Sequence, residues 1–321
     1  MIRTDRAHLH VATRTHPGVA DRNNEDRYAV TSYRVSAEDP TPVVFAVLAD
    51  GIGGHRAGEV AAEMAVNYIS QKVAESDTSH PVQTLQEAIQ TASRAIASQS
   101  ASVGAQRGMG ATCACVWVIG ERLYTASVGD SRIYLLRGED IHQLTTDHTW
   151  VQEALERGII TPEQVKGHPN QHVIRRYLGS PEPPEVDFRL RLQADEEDAQ
   201  ALANQGLPLL PGDTLLLCSD GLTDQVKAPE IARIVQSSPT LDAAAQALID
   251  LACERGGRDN ITVVLLGVPA HTRPLPSKTK PSASRPWLPW VVGAVLLALA
   301  LAVLTAALGW YLLSTKTGGG E

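Results

Sequence analysis

The feature that most constrains this chain is a set of short apolar runs, rich in β-branched residues, that each meet an aspartate at one end. VVFAVLADG ends on Asp50 and Gly51, TLLLCSDG ends on Asp220 and Gly221, and DNITVVLLG opens on Asp259. Asp130 sits in the SVGDSR turn between two further runs, and Asp26 closes NNED. Runs of this length and composition read as strands, here over 43–49, 111–119, 123–127, 133–136, 214–218 and 261–268. One Asp-Gly after a strand is an ordinary turn. Five acids at strand mouths are harder to attribute to turns alone.

If these strands belong to packed sheets, their ends converge and bring several carboxylates together. Like charges at short range raise one another's pKa unless a cation intervenes. Oxygen ligands without Cys or His partners favour Mg²⁺ or Mn²⁺ over Zn²⁺. Two such ions a few ångströms apart clamp a phosphoryl oxygen and acidify a bridging water, which supplies a nucleophile without any catalytic side chain. Hydrolysis of a phosphate ester is the expected chemistry.

Helical periods separate the strands. One face gathers Val60, Ala61, Met64, Ala65 and Tyr68, a second gathers Leu85, Ile89, Ala92 and Ile96, and a third helix is expected over 241–254. The first two follow the second or third strand. Thr161-Pro162-Glu163-Gln164 offers an N-cap, a proline at the first helical position and a capping-box partner. Hydrophobic residues make up 43% of the chain and charged ones 20%, a globular balance. The net charge of -8, with no long Lys/Arg run, argues against a nucleic-acid partner. Cys113, Cys115, Cys218 and Cys253 form no Cys-x-x-Cys pair and read as buried small apolar residues in a reducing compartment. No signal peptide is expected, because the first ten residues are charged and lack an apolar stretch.

The domain carrying these patterns is expected over 1–268. Beyond it, 269–286 is a linker dense in Pro, Ser and basic residues, which cannot form a core. Residues 287–313 contain no charge, and their central part would span ~28 Å as a helix, close to the hydrocarbon thickness of a bilayer. Trp287 and Trp290 at one end and Trp310 and Tyr311 at the other fit the aromatic belts of a transmembrane helix in contact with lipid. Arg273, Lys278, Lys280 and Arg285 precede the span and only Lys316 follows it. This asymmetry predicts a single-pass protein of the cell membrane with its large domain cytoplasmic. The outward tail, 314–321, is too short to fold as a sensor.

GVADRNNED, LADGIGGHRAGE, GMGATC, SVGDSR, LCSDGLTD and GGRDNITVV together resemble, in order and spacing, the motifs of the protein phosphatase 2C (PPM) family in its bacterial form. The resemblance implies an α+β fold, a four-layer α-β-β-α sandwich of two mostly antiparallel sheets flanked by helices. It implies a metal-dependent phosphatase acting on phosphoserine and phosphothreonine of proteins, with a flap over about 144–180 beside the site. Asp50 would bridge two Mn²⁺ or Mg²⁺ ions, with the Gly51 carbonyl as a further ligand. Asp220 and Asp259 would complete one shell, Asp26 would hold the other ion through water, and Asp130 with Asp220 would form a third, weaker site. Thr112 holds the place of a small polar residue with a structural role.

Two departures from the family pattern bear on catalysis. The phosphate-gripping Arg expected five residues before the aspartate of NED is Asp21 here, and Arg22 takes its place only if the loop shifts by one residue. Where animal and plant members carry a proposed general acid, this chain has Ile52. His55, after the glycine pair, is the candidate acid, and its alternative reading is a solvent-facing residue at a helix start. Expected partners are phosphorylated proteins, with a membrane serine/threonine kinase as the opposing enzyme. Asp21 motivates a second reading, a pseudophosphatase that binds phosphoproteins without turnover.

Overall fold

The computed structural model describes residues 1–19, 23–53, 57–270, 304–307 and 309. The chain divides into two units, Met1–Thr272 and Arg273–Glu321. The first begins with β1 (Ile2–Arg3), β2 (His10–His16), β3 (Arg27–Arg34), β4 (Pro42–Ala49) and β5 (Gly51–Ile52), followed by helices α1 (Ala57–Glu75) and α2 (Pro81–Ser102). Strands β6 (Gly110–Ala111), β7 (Cys113–Ile119), β8 (Arg122–Val128), β9 (Arg132–Arg137) and β10 (Asp140–Gln143) come next, then α3 (Trp150–Glu156), α4 (Pro162–Val165) and α5 (Asp198–Ala203). The unit closes with β11 (Leu207–Pro208), β12 (Thr214–Cys218), α6 (Asp220–Thr223), α7 (Ala228–Ser237), α8 (Leu241–Glu254) and β13 (Ile261–Gly267).

The strands form two main sheets, ordered β1-β3-β4-β7-β8-β11 and β10-β9-β12-β13-β2, and a small β5-β6 pair, with every pairing between these strands antiparallel. The alternation of side chains explains why the central strands read as unbroken apolar runs. Val43, Phe45 and Val47 of β4 and Cys113, Cys115 and Trp117 of β7 pack beneath α1 and α2. Their neighbours Val44, Ala46, Leu48, Ala114, Val116 and Val118 meet Leu215, Leu217, Val264 and Leu266 of the other sheet. The far face of that sheet, with Leu216, Cys218, Val263 and Leu265, lies under α7 and α8. Both faces of each sheet are therefore covered, and the layers run helix, sheet, sheet, helix.

The apolar runs expected as strands all appear, but β2 and β3 were not anticipated. HVATRTH and RYAVTSYR are half-exposed over most of their length, so neither forms an apolar run. The two long helices consequently follow the fifth strand rather than the second or third. In α1 the buried face is Ala57, Gly58, Ala61, Ala62, Ala65, Val66, Ile69 and Val73. Small residues let this helix lie close to its neighbours, and Tyr68, expected on that face, is 42% exposed. Thr240 caps α8 by accepting from the Ala243 N–H at 3.1 Å. At α4 the Gln164 side chain accepts from the Thr161 N–H at 2.8 Å, the capping contact anticipated there. Cys113, Cys115 and Cys218 are buried, whereas Cys253 is only partly so, its Sγ lying 3.4 Å from His16 Nδ1 on β2.

The 144–180 segment leaves the sheet after β10, carries α3 and α4, and returns through bridges between Thr149 and Ile174 and between Ala111 and Leu178. Trp150 stacks on His168 with ring centroids 4.8 Å apart. The expected membrane span, 287–313, lies outside the described residues except for 304–307 and 309, which are helical. Most of the 269–286 linker and all of the 314–321 tail lie outside them as well. Among the described residues, no helix is long and apolar enough to cross a membrane.

Candidate metal centre

Asp50 stands where β4 gives way to β5. Its N–H donates to Thr112 Oγ1 at 2.9 Å and its carbonyl accepts from the Thr112 N–H at 2.8 Å, so one residue fixes both sides of its peptide frame. Gly51 and Gly58 allow a close approach here. A Cβ on Gly51 would overlap the Gly58 carbonyl, and one on Gly58 would overlap Glu25 Oε2. Asp220 opens α6 immediately after β12, and a Cβ on Gly221 would overlap the Asn260 carbonyl. That contact seats the start of α6 against the start of β13, which carries Asp259 at its mouth.

Asn260 then locks the loop bearing Asp26. Its Oδ1 accepts from the Glu25 N–H at 2.6 Å, and its Nδ2 donates to the carbonyls of Pro17 at 3.0 Å and Asn23 at 3.1 Å. Ser219 donates to Asp26 Oδ2 at 2.8 Å while accepting from the Thr262 N–H at 3.0 Å. Asp130 is 7% exposed, in the turn between β8 and β9.

These acids act on one another electrostatically. Burial, and then Asp26, Asp220, Asp130 and Asp259, push the Asp50 carboxyl well above the usual range. Burial with Asp130, Asp224, Asp259 and Asp26 does the same to Asp220. Asp26 is raised from 3.8 to about 6 by burial and by Asp259, despite opposing hydrogen bonds from Thr262 and Ser219. Asp130 is likewise raised to about 6 by burial and Asp147. Glu25 rises to about 7, through burial and then through Asp259 and Glu59.

Two basic groups nearby, Arg27 and Arg132, are committed to other acids. Arg27 pairs with Glu59, and Arg132 holds Asp147 through both carboxylate oxygens, with contacts of 2.6, 2.9 and 3.1 Å. Among the described residues, Asp26 Oδ1 and Asp220 Oδ1 are buried without any hydrogen-bond partner. An orphaned buried carboxylate oxygen is costly, and hard cations satisfy such atoms well. The donor set thus fits the Mg²⁺ or Mn²⁺ expected from the sequence.

The five predicted aspartates, with Gly51, come together at one end of the two sheets. Arg22 and His55 lie outside the described residues. Sequence reasoning missed Asp224 and His172. A ligand atom from each of His172, Asp220 and Asp224 falls within 4.8 Å of the others, and His172 Nδ1 is 3.6 Å from Asp224 Oδ2. His172 belongs to an irregular part of the 144–180 segment with no period to mark it. Asp224 did stand in the quoted LCSDGLTD, four residues past Asp220, and that spacing was the available signal. A cavity of about 380 Å³ adjoins this edge, between Asp130, Asp220 and Asp224 on one side and Val151, Leu155 and Val165 of the 144–180 segment on the other.

Residues 20–157 match the family described as Protein phosphatase 2C. The serine/threonine phosphatase Stp of Listeria monocytogenes is 37% identical over 262 residues, spanning 80% of this chain and 95% of that protein. This chain belongs to the protein phosphatase 2C family. It is accordingly a metal-dependent protein serine/threonine phosphatase. The Streptococcus agalactiae serine/threonine phosphatase structure superposes with a TM-score of 0.69 at 33% identity, covering 80% of this chain and 98% of that one. The catalytic domain of the phosphatase PstP, solved in complex with two manganese ions, gives a TM-score of 0.64 at 33% identity, covering 81% and 97%.

Proposed function

We propose that this phosphatase hydrolyses phosphoserine and phosphothreonine on proteins at a binuclear Mn²⁺ or Mg²⁺ centre, from the cytoplasmic face of a membrane. The observation that carries this reading is the mutual influence of Asp26, Asp50, Asp130, Asp220 and Asp259, with two buried oxygens that lack a partner among the described residues. Bound there, a pair of hard cations would supply an acidified water and neutralise charge on the phosphoryl oxygens. The protein's own part is preorganisation. Asp50, pinned by Thr112, presents its carboxylate at the centre of the set, with the Gly51 carbonyl beside it. Ser219 holds Asp26 by Oδ2, and Oδ1 has no partner among the described residues. Asp220 and Asp259 arrive together because α6 and β13 are seated on one another, and Asp130 with Asp220 would form the third, weaker site.

Arg22 is the candidate ligand for the substrate phosphate and His55 the candidate acid toward the leaving oxygen. The manganese-bearing PstP relative supports the ion pair, and the uncharged 287–313 segment supports the anchor. Confinement to one surface would raise the encounter rate with the products of a membrane serine/threonine kinase without any added contact.

The deciding experiment compares the full chain with Asp220→Ala, measuring Mn²⁺-dependent phosphate release from a phosphothreonine peptide. Activity should vanish in the variant, and unchanged release would remove the proposal. Asp21, in place of the usual arginine, favours a pseudophosphatase as the second reading. Turnover of a small aryl phosphate by the wild-type chain would eliminate it. Recovery of the full chain in the soluble fraction would count against the anchor.

A further inference from the structure

His148 is 4% exposed and grips Gly129, the residue before Asp130, from both sides. The Gly129 N–H donates to His148 Nδ1 at 3.0 Å, and the His148 N–H donates to the Gly129 carbonyl at 2.9 Å. With Nδ1 accepting, the imidazole proton is on Nε2, which points to Asp187 Oδ2 at 3.2 Å. Asp187 is in turn clamped by Arg189, at 3.0 Å to each oxygen from Nε and at 2.6 Å from the terminal nitrogen. Its own backbone pairs with Ser127, two residues before Gly129, through bonds of 2.9 and 3.0 Å.

The same histidine also holds the flap. Its carbonyl accepts from the Arg175 N–H at 2.7 Å, and the next residues continue the contact through the Thr149–Ile174 bridge and a 2.9 Å bond from the Trp150 N–H to the Val173 carbonyl. Both segments at the base of the flap, 148–150 and 173–175, are thus fastened to the Asp130 turn through one buried residue, by its main chain and by its imidazole together. Gly129 has φ +104°, and a Cβ there would lie 2.6 Å from Thr112 Cγ2, so the turn before Asp130 requires glycine.

We infer that His148, oriented by Asp187, is a positioning residue that sets Asp130 for cation binding and ties the flap base to that site. This rests on the metal-centre reading above. A second-layer histidine of this kind fixes geometry without touching the ion, and its loss weakens the site it supports.

The test is Mn²⁺ calorimetry on the full chain in detergent micelles, with phosphothreonine-peptide kinetics alongside, for wild type, His148→Ala, His148→Asn and Asp187→Asn. Asn at 148 keeps an acceptor near the Nδ1 position and loses the bond to Asp187. We expect His148→Ala to weaken the third, lower-affinity Mn²⁺ event about 10-fold, with the two tighter events unchanged, and to raise the Mn²⁺ concentration giving half-maximal activity. His148→Asn should recover most of that affinity, and Asp187→Asn should fall between the two. Identical Mn²⁺ isotherms for all four proteins would overturn the inference and reduce His148 to a packing residue. So would a uniform loss of all three events. If His148→Ala does not fold, His148→Asn and Asp187→Asn decide alone, and an unchanged weak event in both rejects the role. Failure of wild type itself to bind Mn²⁺ or release phosphate would reject the metal-centre reading instead, a result separable from any effect of the variants.

Discussion

Ser219 Oγ donates to Asp26 Oδ2 across 193 residues of sequence, and this single 2.8 Å bond joins the loop before β3 to the end of β12. The same hydroxyl accepts from the Thr262 N–H on β13. Ser219→Ala would leave that buried N–H without a partner, at a cost of ~1–3 kcal/mol. It would also free Asp26 to rotate away from the centre. Urea denaturation should show the lost stability, and Mn²⁺ titration of activity should show a shift to higher concentrations.

Thr112 fixes Asp50 through backbone and side chain and shares a 2.7 Å bond with Ser131, next to Asp130. Thr112→Val keeps the volume but removes the acceptor for the Asp50 N–H, so kcat should fall by about 10-fold or more. Thr112→Ser retains the hydroxyl and should retain most activity. Equal rates for the Val and Ser variants would show that the hydroxyl does not hold Asp50.

Gly221→Ala places a methyl group against the Asn260 carbonyl. Relief requires α6 and β13 to part, which should cost ~1–3 kcal/mol and separate Asp220 from Asp259. The expected signature is a lower Tm and a reduced response of Tm to Mn²⁺. A variant as stable and as metal-responsive as wild type would show that this close approach is dispensable.

Chelation should destabilise the fold. Asp26 and Asp130 are raised from 3.8 to about 6, so the metal-free domain is penalised for ionising them at neutral pH. Mn²⁺ at one hundred times its Kd would stabilise the folded state by ~2.7 kcal/mol per site by mass action. Calorimetric Tm in EDTA should therefore be several degrees below Tm in Mn²⁺ at the same pH.

The two kinds of perturbed carboxyl give opposite trends with pH in the metal-free protein. Asp26 and Asp130 have folded values above their unfolded ones, so their penalty fades as pH drops from about 6 toward about 4, and Tm should rise there. Burial would raise Asp187, but hydrogen bonds from His148 and Arg189 outweigh it and hold this carboxyl well below its usual value. Its contribution is complete above the unfolded value and is lost as pH falls below about 4. Thermal scans from pH 7 to 3 should show a maximum, and Asp187→Asn should flatten the acid side.

Much of this was legible in the sequence because β4, β12 and β13 are covered on both faces. Each reads as an uninterrupted apolar run, and the acid that ends it is easy to see. The half-exposed strands β2 and β3 left no such trace, although β2 is the strand that pairs with β13. Asp224 was passed over despite standing four residues past Asp220, whereas His148 and His172 were not picked out because their roles depend on contacts between segments far apart in sequence. His148 follows Thr-Thr-Asp and looks like any polar residue until Gly129 and Asp187 fold around it. Asn260 shows the same limit: it stood in the quoted motif, but its three bonds to the opposite end of the chain could not be read from the motif alone.

The direction of β13 sets two ends of the domain apart. The strand begins beside the acidic cluster at Ile261 and ends at Gly267, ~20 Å away at the rise typical of an antiparallel strand. At that far end Gly267 faces Leu241 of α8 and His10 of β2, so a substitution there would disturb the packing of α8 and β2 a full strand length from the carboxylates.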